Sequence, residues 1–177
     1  MVFKRFFGKK KSTDYTCTQC GKVHDDWPAL GFISPTHYNQ LEEADQNSLA
    51  SLDSDFCVIK DEEIYHFIRV SMHQRVTDYH MPLDYGLWVS LSEKSFQDYR
   101  DNYHNENHIT VYFGWLCNNV SPYEGTLSIP VDVHTKPGND RPEIVPHHDY
   151  DHPLVQDYHR GISREEAERR IHEMMND

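Results

Sequence analysis

The chain has 177 residues, a net charge of −12, 37% hydrophobic and 26% charged residues, which fits one globular domain and excludes a disordered or fibrous chain. No apolar run approaches the roughly 20 residues that a membrane-crossing helix needs, and the N-terminus lacks the apolar core of a secretory signal, so a cytoplasmic protein without a transmembrane segment is expected. An acidic body repels phosphate backbones, which argues against nucleic-acid binding.

Residues 1–14 read as a basic, disordered tail, and residues 15–177 as a single globular domain. Lys4, Arg5, Lys9, Lys10 and Lys11 stand in the tail with no acid among residues 1–11, so the rest of the chain is more acidic still. Phe3, Phe6 and Phe7 recur at helical spacing between these cations. That pattern admits a weak membrane-surface contact by residues 1–11, at about 1 kcal/mol per cation on an anionic leaflet. Eleven residues make a marginal helix, which favours the solubilising tail.

Tyr15-Thr-Cys-Thr-Gln-Cys-Gly-Lys-Val-His24 follows. Cys17 and Cys20, two residues apart, suit adjacent corners of a zinc tetrahedron, and Gly21 lets the backbone turn past a metal. His24 and Cys57 are the further candidate ligands, so a Cys17, Cys20, His24, Cys57 set predicts a structural zinc. Two alternatives stand beside it. A redox dithiol prefers a helix start after the pair, where this chain has Gly21-Lys22. Buried thiols without metal are the simpler reading. In a reducing compartment the four cysteines are thiols or ligands rather than disulfides, and Cys117 is expected to pack at a strand end.

Pro35 opens a predicted helix running to about Leu49, and Asp53-Ser54-Asp55 is a turn. Phe56 to Ile59 and Ile64 to Val70 flank the charged Asp61-Glu62-Glu63 and read as a hairpin. Gly86 to Leu91 is a strand with Leu87, Val89 and Leu91 on one face. Ser92 caps a helix over about Glu93 to Tyr103. Ile109 to Leu116 is a strand with Val111, Phe113 and Trp115 on one face, and the faces bearing Trp88, Tyr112 and Trp115 are expected in the core rather than as a ligand platform. Leu127 to Val133 alternates again. The Pro/Gly-rich 137–146 reads as a loop. Pro153 suits the first turn of a helix capped by Asp151 or His152, and Ser163-Arg-Glu-Glu166 is a capping box opening a terminal helix to about Met175. Strands in runs, with helices between and after them, predict an α+β fold: a mostly antiparallel sheet with flanking helices and an N-terminal zinc-knuckle-like segment.

Other chemistry is sparse. His147-His148-Asp149-Tyr150-Asp151-His152 is dense in titratable groups and admits a second metal site or an acid/base His152 oriented by Asp151. Side chains adjacent in sequence diverge, so a solvated loop ending in a helix cap is favoured. Arg69 and Arg141 are candidate anion ligands, although arginines of an acidic domain are more often ion-pair partners. The candidate functional cleft comprises Arg69, Trp88, Arg141, Asp151 and His152. No phosphate loop, nucleophile elbow or zincin motif is present in the sequence.

Several of these segments together carry a resemblance. Cys17-x-x-Cys20-Gly21-x-x-His24, Asp55-Phe-Cys57, Phe67-Ile68-Arg69, Gly86-Leu-Trp88-Val89-Ser90-Leu91-Ser92, Phe113-Gly114-Trp115-Leu116, Arg141-Pro142, Asp151-His152-Pro153-Leu154 and Gly161-Ile162 occur in the order of a bacterial family. The chain resembles domain of unknown function 2199 over about residues 15–165. Val70 stands where that pattern tends to show glycine, and Cys117 where it shows another residue. The resemblance implies a bacterial cytoplasmic protein with no assigned activity, and supports Cys17, Cys20 and Cys57 as a set. The reading is a zinc-stabilised binding or interaction module, an acidic surface favouring a basic protein partner. The alternative is a small hydrolase or transferase acting on a small molecule near Arg141, Asp151 and His152.

Overall fold

A computed structural model describes residues 15–16, 23–24 and 27–176. Cys17 and Cys20, together with residues 1–11, lie outside the described residues. Two short strands, β1 (Tyr15–Thr16) and β2 (Val23–His24), pair antiparallel with Tyr15 opposite His24.

The remaining strands form one eight-stranded sheet. In chain order they are β3 (Leu30–Gly31), β4 (Ala50–Leu52), β5 (Phe56–Lys60), β6 (Ile64–Gln74), β7 (Leu83–Leu91), β8 (Val111–Leu116), β9 (Pro130–His134) and β10 (Glu143–Pro146). β6 and β7 pair antiparallel from His66–Leu91 to Gln74–Leu83. The sheet then runs β7-β8-β9-β10, and β10 returns to β6 in parallel at Glu143–Ser71. Five strands therefore close on themselves as a barrel, and closure removes exposed edges. The sheet is mostly antiparallel, as expected, but it is not simply so: β10–β6 and β3–β7 are parallel. Residues 137–146 are corrected from a loop to a connection ending in β10, the strand that completes the ring. β3 and the β4–β5 pair extend the sheet beyond the barrel.

The barrel is filled by Ile68, Val70, Met72, Tyr85, Leu87, Val89, Leu116, Val131, Val133 and Ile144, part of one continuous core. Gly114 allows β8 to approach β7, because a Cβ there would stand 3.0 Å from the Ser90 carbonyl oxygen. A second core lies on the outer face. Cys57, Ile59, Phe67, Trp88 and Cys117 are covered there by Phe32, Tyr38, Leu41, Ala50 and Leu52. The covering segment holds two short helices, α1 (Thr36–Asn39) and α2 (Glu43–Leu49), in place of the single helix expected over this stretch.

Helix α3 (Glu93–Asp101) starts at Ser92, whose Oγ accepts the Ser95 N–H, and buries Phe96 and Tyr99. Helices α4 (Pro153–Arg160) and α5 (Arg164–Asn176) contribute Leu154, Val155, Ala167 and Ile171 to the main core. Ser163 Oγ accepts the Glu166 N–H, as its capping box predicts. None of the described helices is long and apolar enough to cross a membrane.

Candidate functional site

Strand β8 alternates exposed and buried along its length. The buried face carries Tyr112, Gly114 and Leu116. Val111, Phe113 and Trp115 face outward and are 51%, 48% and 43% exposed. The expectation that Trp115 lies in the core is corrected, whereas Trp88 and Tyr112 are buried as expected. Phe113 packs edge-on against Trp115 at 4.9 Å between centroids and against His147 at 5.5 Å. His147 in turn bonds Asp132 through Nε2 at 3.0 Å.

Trp115 borders a groove made of two hollows. One, of about 260 Å³, is lined by His37, Tyr65, Phe67, Trp115, Cys117 and Ser128 together with Ser90. The other, of about 540 Å³, is lined by Glu62, Glu63, Ile64, Tyr65, Ser90 and Glu93 among others. The hollows meet at Tyr65 and Ser90. The groove is thus aromatic at one end and acidic at the other, and Ile64 and Tyr65 are exposed beside it.

The residues of the expected cleft divide into two groups. Arg69 and Trp88 are cross-strand partners on β6 and β7, and the Arg69 guanidinium lies 5.9 Å from the Trp88 ring centre. Trp88 is sealed, donating through Nε1 to the Phe32 carbonyl at 3.1 Å. Arg141 joins Arg69 through Asp55. Its Nε donates to Asp55 Oδ1 at 2.9 Å, while Ser54 and Tyr103 donate to Oδ2. Burial, which raises the Asp55 pKa, is outweighed by Arg141, Ser54 and Tyr103, so the carboxyl is held below its usual range. Arg69 Nε is buried without an acceptor. A buried donor left unsatisfied costs about 1–3 kcal/mol. Burial and the Arg141 charge lower the Arg69 pKa, against Asp55, which raises it.

Asp151 and His152 belong to the start of α4. His152 Nδ1 accepts the Leu154 N–H at 3.0 Å and Nε2 donates to the Glu124 carbonyl at 2.8 Å, so both ring nitrogens are committed and these bonds select the Nε2–H tautomer. Asp151 accepts from Gln156 rather than from His152. The other histidines of this loop have separate partners. His147 bonds Asp132, and His148 rests against His159, which bonds the Pro146 carbonyl. The favoured helix-cap reading describes this loop.

Cys57 is fully buried in the outer core. Burial, then the charges of Asp53 and Cys117, pushes its thiol up to about 12, and burial pushes Cys117 up to about 11. Both thiols are thus held in the protonated, unreactive form near neutral pH. Iodoacetamide at pH 8 is therefore expected to leave Cys57 and Cys117 unmodified in the folded protein and to label both in guanidinium. Peptide mass mapping reads this directly, and rapid native labelling of either would contradict the packing. Among the described residues no three His, Cys, Asp or Glu side chains gather as a metal site.

A family model described as an uncharacterized protein conserved in bacteria, DUF2199, matches residues 16–162. The chain belongs to this family. No curated protein and no solved structure matches it. The DUF2199 match takes in the barrel, the groove and the cap of α4, and it ends before α5 begins at Arg164. The groove was absent from the sequence reading. Its one signal there was the alternation of β8, whose two faces are both apolar.

Proposed function

We propose that this DUF2199 protein is a cytoplasmic, non-enzymatic interaction module that receives a basic peptide segment with an aromatic or aliphatic anchor in the Tyr65–Trp115 groove. The observation that carries this reading is the half-exposed Val111-x-Phe113-x-Trp115 face, whose Trp115 lines a hollow of about 260 Å³ that shares Tyr65 and Ser90 with one of about 540 Å³. Aromatic side chains supply much of the energy of protein recognition. Glu62, Glu63 and Glu93 at the far end, on a chain of net charge −12, favour a cationic partner. The separate commitments of Asp151 and His152 support the module over the hydrolase or transferase alternative. Free, buried Cys57 and Cys117 are in keeping with a reducing compartment. Selection of a random displayed peptide library on the full chain, counter-selected with Trp115→Ser, is expected to enrich sequences pairing Arg or Lys with an apolar anchor. Enrichment of nothing, or equal enrichment on the variant, would contradict the reading.

We also propose a structural zinc on the N-terminal segment, with Cys17, Cys20 and His24 as ligands. Support comes from the pairing of Tyr15–Thr16 with Val23–His24, the pairs of residues that stand before and after the two cysteines in the sequence. Elemental mass spectrometry of the untagged protein is expected to find about one zinc per chain, lost in Cys17→Ser/Cys20→Ser. Equal loss in Cys57→Ser would add Cys57 to the ligands; its apolar surroundings support a packing role. Zinc-free, folded protein, with stripping during purification excluded, would contradict the site.

A further inference from the structure

We propose that Arg69 and Arg141, above the bare backbone of Gly31 and Gly86, form a binding site for a small oxyanion, a carboxylate or phosphate group. The site stands apart from the Tyr65–Trp115 groove and does not depend on it. Its basis is a local imbalance in an acidic protein. Two guanidinium groups stand near one carboxylate, and that carboxylate is already filled: Asp55 takes Arg141 on Oδ1 and Ser54 and Tyr103 on Oδ2. The neighbouring acid of the turn is engaged as well, because Asp53 Oδ1 accepts the N–H groups of Asp55 and Phe56. Asp84, on the same face of β7, is held by His73 at 2.5 Å. Among the described residues nothing accepts a hydrogen bond from the Arg69 guanidinium, and its Nε is sealed.

The surroundings are built rather than incidental. Asp55 and Arg69 are tied by the Arg69 N–H to Asp55 carbonyl bond at 2.9 Å, and Arg141 is tied to the same face by the Ser71 N–H to Pro142 carbonyl bond at 2.8 Å. Trp88 backs the Arg69 guanidinium at 5.9 Å, an arrangement that orients the cation. Gly31 and Gly86 face each other on β3 and β7. A Cβ on either would stand 3.6 Å from Arg69 Nη2, so neither residue places a side chain against that flank of the guanidinium. A guanidinium presents paired donors that match the oxygens of carboxylate or phosphate. The chemistry therefore assigns an oxyanion, with Arg69 as the fork and Arg141 as the second cation.

The test is an NMR titration of the full chain, following the arginine Nε–Hε resonances while sodium phosphate or sodium acetate is added at constant ionic strength. A saturable shift of the Arg69 resonance is expected. Response to phosphate alone identifies a phosphate-bearing ligand, and response to acetate alone a carboxylate. Arg69→Gln and Gly31→Val are expected to abolish saturation when binding is followed on Arg141, and Arg141→Gln to weaken it roughly tenfold. Gly31→Val keeps every charge, its Cβ would make ordinary contact with Arg69 Nη2, and its γ-methyls would crowd the flank of the guanidinium. Arg69→Lys, which keeps the charge and loses the fork, is expected to bind more weakly than wild type but above Arg69→Gln. Linear drift without saturation for both anions overturns the site, as does saturable binding that persists in Arg69→Gln.

Discussion

Arg170→Ala is expected to lower the free energy of unfolding by about 2 kcal/mol, below the ~3–5 kcal/mol of a fully buried pair, because the Asp157 and Glu166 side chains left behind are 38% and 31% exposed and partly screened by water. Arg170 is 3% exposed. Its Nη2 donates to Asp157 Oδ2 at 2.9 Å, its Nε to Glu166 Oε1 at 2.8 Å, and its guanidinium lies 4.8 Å from the Tyr123 ring centre. Tyr123 donates to the same Asp157 oxygen at 2.5 Å, and the Asp157 carbonyl accepts from Gln74 of β6. Truncation therefore takes the guanidinium from Asp157 and removes the ion-pair link between α5 and α4, leaving α5 held by its Ala167 and Ile171 packing. Urea unfolding at neutral pH measures the loss, and a change under about 1 kcal/mol would place the network among weak surface pairs.

The same network sets an acid response. Hydrogen bonds from Arg169, then from Arg170, together with their charges, hold the Glu166 carboxyl down to about 2 against the effect of burial. Its folded pKa lies below the unfolded value near 4.5. The stabilisation is complete above that value and is lost as the pH falls through about 2. Wild-type protein is expected to lose stability across this window. Arg170→Ala retains the Arg169 partner, so its dependence is expected to flatten rather than disappear.

Trp88→Ala is expected to cost about 3–5 kcal/mol, the range for truncating a buried aromatic side chain. Trp88 has no exposed surface and is the largest fully buried side chain. It fills the outer core between Phe67, Cys57 and Cys117. Its indole N–H holds the Phe32 carbonyl, and its backbone N–H donates to Asn118 Oδ1 at 2.7 Å. Removing the ring opens a cavity and frees the segment carrying α1, so a fall in urea midpoint is expected together with faster hydrogen exchange at Thr36, whose N–H is held by the Cys117 carbonyl. A near-wild-type midpoint would mean that the covering segment collapses onto the gap.

Local signals were legible in the sequence. The Ser92 and Ser163 caps, the hairpin of β5 and β6, and the inward Leu87-Val89-Leu91 face depend on near neighbours or strict alternation, and each stands as read. β8 was half misread: both faces of an alternating strand are apolar, so both were placed in the core, and only the Tyr112 face is there. Gly114 held the contrary clue, since its missing Cβ makes room for Ser90 and Val133 in the tight interior. β10 was read as a loop because Pro142 precedes it and Pro146 ends it, and its ladder partners among the described residues, β9 and β6, come from elsewhere in the chain. Arg69 and Arg141 were read into one cleft and do come together, but Asp151 and His152 stand apart from them, and Asp55, which takes the Arg141 guanidinium, was read only as part of a turn because its partner lies 86 residues away.

The most direct measurement of the interaction reading is the affinity of a library-selected peptide for the full chain by fluorescence anisotropy, compared with Trp115→Ser and with Glu62→Lys/Glu63→Lys. Trp115→Ser is expected to weaken binding by roughly 30-fold or more, as for a central aromatic anchor. The charge reversal is expected to weaken it chiefly at low salt, where exposed charges are least screened. Affinity unchanged in both variants would show that the peptide binds elsewhere and would contradict the assignment of the Tyr65–Trp115 groove as the working surface of this protein.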